Sequence, residues 1–230
     1  MATLARLLDT LEASYGPQKP AWPTDPYQFL LWWYCAYPAS DAKCAKGWES
    51  LHKNIGLEPR RILAADSARL ALALKPGGMF AEQRALHLKE TADRVLEEFG
   101  GDLAGALKRL PLSKARAALK TFPGIANPGA DRILLFAGIS PVAAVPSSCT
   151  HVAARIFQSA TRGNYSREYA DAQQMIEQDI PPSFDARQRA YLLLKYHGQE
   201  ICKRSSPLCS ACPVARSCAY ARAKRKAEAV

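Results

Sequence analysis

The sequence predicts an all-α fold, and three observations predict it. Apolar residues recur at helical spacing, strand-like alternation is nearly absent, and turn-forming residues punctuate the chain at helix-length intervals. Taken in order, Leu4, Leu7, Leu8 and Leu11 mark a first helix, and Phe29, Leu30 and Trp33 a second. Ile62, Leu70 and Leu72 mark a third region, and Leu86, Ala92, Val95 and Leu96 a fourth. Tyr191, Leu192, Leu193 and Tyr196 mark a late helix. The breaks fall at Gly16-Pro17, residues 20–26, Gly77-Gly78, Gly100-Gly101, residues 138–141 and Pro181-Pro182. No internal repeat is visible.

A length of 230 residues suits one large domain or two small ones, and 48% apolar residues supply a core. The longest apolar stretch, residues 29–37, is too short to span a bilayer, so no membrane anchor is expected. Lys and Arg number 31 against 21 Asp and Glu, a net charge of +10. That excess favours a polyanionic partner, because cationic side chains displace counterions from phosphates. The N-terminus has no basic segment followed by an apolar one, so secretion is not expected and a cytoplasmic location is, nucleoid-associated if the source is bacterial. Cys35, Cys44 and Cys149 lie among apolar or small residues and read as buried thiols. Residues 221–230, rich in Ala, Lys and Arg, read as a frayed helix or a disordered end.

Cys202, Cys209, Cys212 and Cys218 form a C-x6-C-x2-C-x5-C run in a polar, proline-containing stretch. Thiolates this close in sequence can turn toward one centre, and soft sulfur selects zinc or an iron–sulfur cluster over hard cations. Two disulfides would need an oxidising compartment. Structural zinc ordinarily takes two separated ligand pairs, whereas only Cys209 and Cys212 form such a pair here. A [4Fe–4S] cluster held by all four thiolates fits the unequal arms best.

Residues 112–138 carry a second signal. A short helix through Lys114, Ala118 and Leu119 leads to the turn Phe122-Pro123-Gly124-Ile125-Ala126, and a new helix starts at Asn127-Pro128, with Asn127 as its cap. Gly124 lets the backbone turn tightly. The segment Pro123-Gly124-Ile125-Ala126-Asn127 with Gly129 is the candidate DNA contact: its amides, Pro123 having none, lie beside a helix N-terminus, suit one phosphate and carry no base information. An ordinary pair of antiparallel helices is the competing reading.

The Phe-Pro-Gly-Ile hairpin, the stretch Val145 with Thr150-His151-Val152, His197-Gly198 and the cysteine run resemble, in this order, the endonuclease III branch of the helix-hairpin-helix DNA glycosylases. Asp25-Pro26-Tyr27-Gln28-Phe29 with Ala39-Ser40-Asp41, and Gly78-Met79-Phe80 with Gln83-Arg84-Ala85, resemble that family's early helices. The likeness covers roughly residues 25–220. It implies two helical lobes flanking a DNA-binding cleft, a [4Fe–4S] cluster, and a monomer acting on damaged or distorted double-stranded DNA with a flipped nucleotide. It also implies a division into residues 1–24, an N-terminal helix and linker packing on the cluster lobe; 25–140, a helical barrel lobe with the hairpin at 112–138; 141–220, the cluster lobe with its loop at 202–218; and a basic tail, 221–230.

Three functional positions of the family are changed. Where the resemblance puts the lyase lysine stands Pro128, which has no amine to attack the sugar. Where it puts the catalytic aspartate stands Pro146 or Cys149, depending on the direction of counting. Where it puts a gap-filling glutamine stands Pro38. The expected protein is therefore a glycosylase without lyase activity, or else a catalytically silent lesion binder. Cys149, His151 and Asp131 flank the altered positions and are the candidate catalytic residues. The aromatic run Trp32-Trp33-Tyr34 with Tyr37 offers rings to an extruded base, with most of them expected in the core.

Overall fold

The computed structural model describes residues 3–158 and 163–228. Residues 1–2 of the N-terminal segment, 159–162 of the expected cluster lobe and 229–230 of the tail lie outside it. The α-helices are α1 (Leu4–Tyr15), α2 (Pro26–Ala36), α3 (Asp41–Asn54), α4 (Pro59–Ala64), α5 (Ser67–Leu74), α6 (Ala81–Phe99) and α7 (Leu103–Arg109). They continue as α8 (Leu112–Leu119), α9 (Asn127–Phe136), α10 (Thr150–Gln158), α11 (Tyr165–Asp179), α12 (Phe184–Glu200) and α13 (Ala219–Glu228). Among the described residues there is no strand, and no helix is long and apolar enough to cross a membrane. The helices start where local chemistry says they should. The side chains of Asp25, Ser40, Asp66, Asp102 and Ser183 each accept from the first-turn backbone N–H of α2, α3, α5, α7 and α12.

Contacts divide the chain into two units: residues 20–139, and residues 1–19 with 140–230. In the first, α2 packs on α3, α6, α7 and α9 and is buried nearly all round, as an uninterrupted apolar run requires. Trp32, Trp33 and Tyr34 are all buried. Two cations are buried with them. The Arg132 guanidinium lies 3.7 Å over the Trp22 ring, an aromatic face compensating part of its lost hydration. Arg84 donates to the carbonyls of Cys35, Leu74 and Gly78, satisfying backbone groups that would otherwise be buried without partners. Close approach of the chain to α2 depends on Gly77, where a Cβ would collide with the Cys35 carbonyl oxygen.

In the second unit α1 packs on α11 and α12, and α10 packs on α11, α12 and α13. Leu4, Leu7, Leu8 and Leu11 fill one core with Val152, Ile156, Ile176 and Leu193. Asp179 accepts from the Leu4 N–H at 2.7 Å, and Arg189 on α12 pairs with Asp9 and Glu12 at 2.8 Å each.

Three apolar positions of the sequence pattern are exposed, Leu72 at 62%, Leu86 at 59% and Tyr196 at 38%, and Leu96 is half-buried. The buried face of α6 is Ala81, Arg84, Ala85, Leu88, Thr91, Ala92 and Val95, a helical stripe that leaves Leu86 on the opposite side. The tail continues as helix α13 through residue 228, with residues 222–227 exposed.

Candidate nucleic-acid interface and cysteine loop

The hairpin joins α8 to α9. Phe122 and Ile125 are buried and anchor the turn in the core of the 20–139 unit. The Ile125 N–H bonds the Phe122 carbonyl at 3.2 Å, and the Tyr34 hydroxyl donates to the Pro123 carbonyl at 2.8 Å. Between these anchors Gly124 is exposed at φ +68, with open space where a Cβ would stand. Across the base of the hairpin, Arg116 on α8 pairs with buried Asp131 on α9 at 2.7 Å. The turn is thus held on both sides while its outer edge is bare.

The cap of α9 differs from the sequence expectation. Ala126, not Asn127, holds the extended cap conformation, and no side chain caps the helix. Asn127 is already helical, so its side chain is not aimed at the first-turn amides, and Pro128 falls within that first turn, where a missing N–H costs nothing. The helical ladder begins with Ala130 N–H to the Ala126 carbonyl, so the amides of Asn127 and Gly129 precede it and have no acceptor within the helix. Pro123, Gly124, Ala126, Asn127 and Pro128 reach the surface, whereas Ile125 and Gly129 are buried and support the turn from beneath. Lys114 and Lys120 are exposed on the same hairpin.

In the other unit, the chain leaves α12 through Cys202, whose N–H bonds the His197 carbonyl at 2.7 Å. It passes Cys209 and Cys212 in a short 3-10 turn and enters α13 after Cys218. All four cysteines border the core built on α1, α10 and α12. Arg155, buried beneath the loop, donates to Cys202 Sγ at 3.7 Å and to the Lys203 carbonyl at 2.8 Å. Cys218 Sγ lies 3.4 Å from the Arg155 carbonyl. His197 Nε2 lies 4.0 Å from Cys212 Sγ, and its Nδ1 shares a 2.8 Å hydrogen bond with the Tyr15 hydroxyl of α1. Burial pushes the Cys212 thiol up to about 11, and Cys218, Cys202 and Cys209 each add to the rise, so the sulfurs lie within electrostatic reach of one another. Burial likewise pushes His197 down to about 4. Among the described residues no three His, Cys, Asp or Glu side chains form a group able to hold a single metal ion.

The three candidate catalytic residues are all buried and engaged. Cys149 is 3% exposed, its Sγ is 3.6 Å from the Lys195 carbonyl, and burial raises its pKa. His151 is 1% exposed with Nε2 2.7 Å from the Cys202 carbonyl, and burial lowers its pKa. Asp131 is 1% exposed in the Arg116 pair. Sequence reasoning missed one constellation beside them: buried Glu168 accepts from Thr150 at 3.0 Å and pairs with Arg204 at 3.4 Å. These residues lie 18 to 54 positions apart, and no local spacing signals their meeting.

Neither a protein-family model nor the sequence of a curated protein matches the chain. Solved structures do. A trapped endonuclease III–DNA covalent intermediate with an estranged adenine superposes with a TM-score of 0.76 at 17% identity, covering 98% of this chain and all of that one. A thermostable thymine-DNA glycosylase gives 0.74 at 21% identity, with 96% and 97% covered. The H. pylori 3-methyladenine DNA glycosylase bound to 1,N6-ethenoadenine gives 0.60 at 18% identity, with 86% and 95% covered. These are helix-hairpin-helix DNA glycosylases, and at such identities the likeness is one of fold. The chain has the all-helical fold of that class, as its sequence predicts. Within the class, the endonuclease III structure is matched over its full length.

Proposed function

We propose that this protein is a DNA-repair glycosylase that grips damaged or distorted double-stranded DNA, admits a flipped nucleotide and releases its base without cutting the strand. One observation carries the proposal: the braced turn at Gly124, bare on its outer edge beside the open amides at the start of α9. Such a device binds a phosphate oxygen of either strand regardless of sequence. The net charge of +10 supports a polyanionic partner, and the fold supports the reaction class. Pro128 supports hydrolysis over lyase chemistry, because a Schiff base with the sugar needs an amine there. No carboxylate stands free among the candidate catalytic residues, so the favoured substrate is a base whose glycosidic bond is already weak, such as a positively charged alkylated purine. The proposed protein is monomeric and cytoplasmic.

Cys202, Cys209, Cys212 and Cys218 would hold the [4Fe–4S] cluster. The donor set fits it: four soft sulfurs on one loop against one core, with the Arg155 guanidinium beside Cys202 to offset thiolate charge. When bound, the cluster supplies a four-point cross-link of the loop and a redox-active iron centre.

The burial of Cys149, His151 and Asp131 favours a second function, a lesion binder that releases no base. A panel of modified-base duplexes, incubated and then analysed with and without alkaline cleavage, decides between them. Alkali-dependent strand breaks at one lesion support the glycosylase. Selective, salt-sensitive binding with no base released from any duplex supports the binder.

A further inference from the structure

Beneath the cysteine loop, one pair of side chains has no task in DNA binding. His197, in the last turn of α12, is 1% exposed and meets the loop twice. Its carbonyl accepts the Cys202 N–H at 2.7 Å, and its ring Nε2 lies 4.0 Å from Cys212 Sγ. On the other side of the ring, Nδ1 shares a 2.8 Å hydrogen bond with the Tyr15 hydroxyl, 182 positions away. That bond exists only because α1 docks here. The docking is firm. The Leu4 N–H donates to Asp179, Arg189 pairs with Asp9 and Glu12, and the Tyr15 ring leans on Tyr196 with 4.8 Å between ring centres. Tyr15 is the last residue of α1: Gly16, at φ +72, ends the helix, and Gln18 donates to the Tyr15 and Gly16 carbonyls. The backbone that carries the hydroxyl is therefore pinned on both sides.

A neutral imidazole donates from one nitrogen and accepts at the other, and a ring this buried stays neutral because burial penalises its charged form. A cysteine sulfur bonded to a metal has no proton and only accepts, so the N–H belongs at Nε2. Nδ1 is then the acceptor, and the Tyr15 O–H donates to it. Each of the two hydrogen bonds requires the tautomer that the other requires. We infer that Tyr15 and His197 form a relay that delivers one N–H hydrogen bond to the Cys212 thiolate of the bound cluster and raises the cluster's reduction potential. His197 touches the ligand sulfur, and Tyr15 is a positioning residue that acts through it. The direction follows from charge: reduction makes the cluster and its thiolates more negative, and an N–H aimed at a sulfur stabilises the more negative state. This inference rests on the [4Fe–4S] cluster proposed for Cys202, Cys209, Cys212 and Cys218.

The test uses the full-length protein purified with its cluster and reads metal content and, by voltammetry without DNA, the midpoint potential. Tyr15→Phe keeps the ring against Tyr196 and removes only the hydroxyl, whereas His197→Leu removes the donor itself. Both should lower the midpoint. For His197→Leu the ratio of reduced to oxidised cluster at a fixed potential should fall about tenfold, the size of one hydrogen bond, which is about 59 mV for one electron. His197→Gln, whose amide nitrogen reaches as far as the ring Nε2, should keep the wild-type midpoint, and adding Tyr15→Phe to it should change nothing further. If His197→Leu loads no iron, Tyr15→Phe and the two glutamine variants decide alone. A loaded Tyr15→Phe protein with the wild-type midpoint overturns the relay and leaves the cluster standing. So does an equal drop on adding Tyr15→Phe to His197→Gln, which places the tyrosine's effect elsewhere. A wild type that holds zinc and no iron overturns the cluster and the relay together.

Discussion

Replacing Gly124 separates the folding role of the turn from its binding role. The residue is exposed at φ +68, and a Cβ would meet nothing within 4 Å. Gly124→Ala therefore bears only the backbone cost of a left-handed non-glycine residue, about 1–2 kcal/mol, a factor of roughly 5–30 in the unfolding equilibrium. Gly124→Asn should lose less, because Asn enters that region more readily. Urea melts followed by circular dichroism should show the alanine variant with a lower midpoint at unchanged slope. Gly124→Trp keeps the same backbone demand and adds bulk in front of the amides. Losing a hydrogen bond to a charged phosphate costs about 1.5–3 kcal/mol, so its affinity for duplex DNA should fall roughly tenfold or more. A Gly124→Ala protein with the wild-type midpoint would refute the conformational account. A folded Gly124→Trp protein with wild-type affinity would remove the hairpin from the interface.

The purified protein should be yellow-brown, and Cys209→Ser or Cys212→Ser should bleach it and weaken the loop before α13; a colourless wild type with one equivalent of zinc would sink the cluster. Borohydride should trap no covalent adduct at an abasic site, since Pro128 has no amine; trapping that persists after Lys120 and Lys195 are replaced would reveal another amine. Asp131→Ala leaves Arg116 without its buried partner at the base of the hairpin. Because Arg116 is about one-third exposed, the loss should be about 1–3 kcal/mol and not that of a fully buried pair. A variant with the wild-type urea midpoint would show that the pair contributes nothing.

Interactions between near neighbours in the chain were legible from the sequence. The stripe Leu4, Leu7, Leu8 and Leu11 is buried as its spacing requires, and Asp25 and Ser40 cap the helices that follow them. The Gly124 turn could be read for the same reason: its parts lie within a few residues of one another. Where the competition was equally local but finely balanced, the boundary moved by one residue, as at Asn127. Leu86 shows the next limit, since a short apolar count does not say which side of α6 meets a neighbour. Tertiary structure alone decided that Arg84, Arg132 and Arg155 are buried, because their partners include backbone carbonyls and aromatic rings tens of residues away, the Cys35 carbonyl in the case of Arg84. It also decided that Thr150, Glu168 and Arg204 meet, and that Cys149, His151 and Asp131 are enclosed. The sequence by itself determined the helices and the turn, because short-range geometry specifies them. Burial and charge pairing depend on which surfaces the folded chain brings together across tens of residues, and only the folded chain contains that.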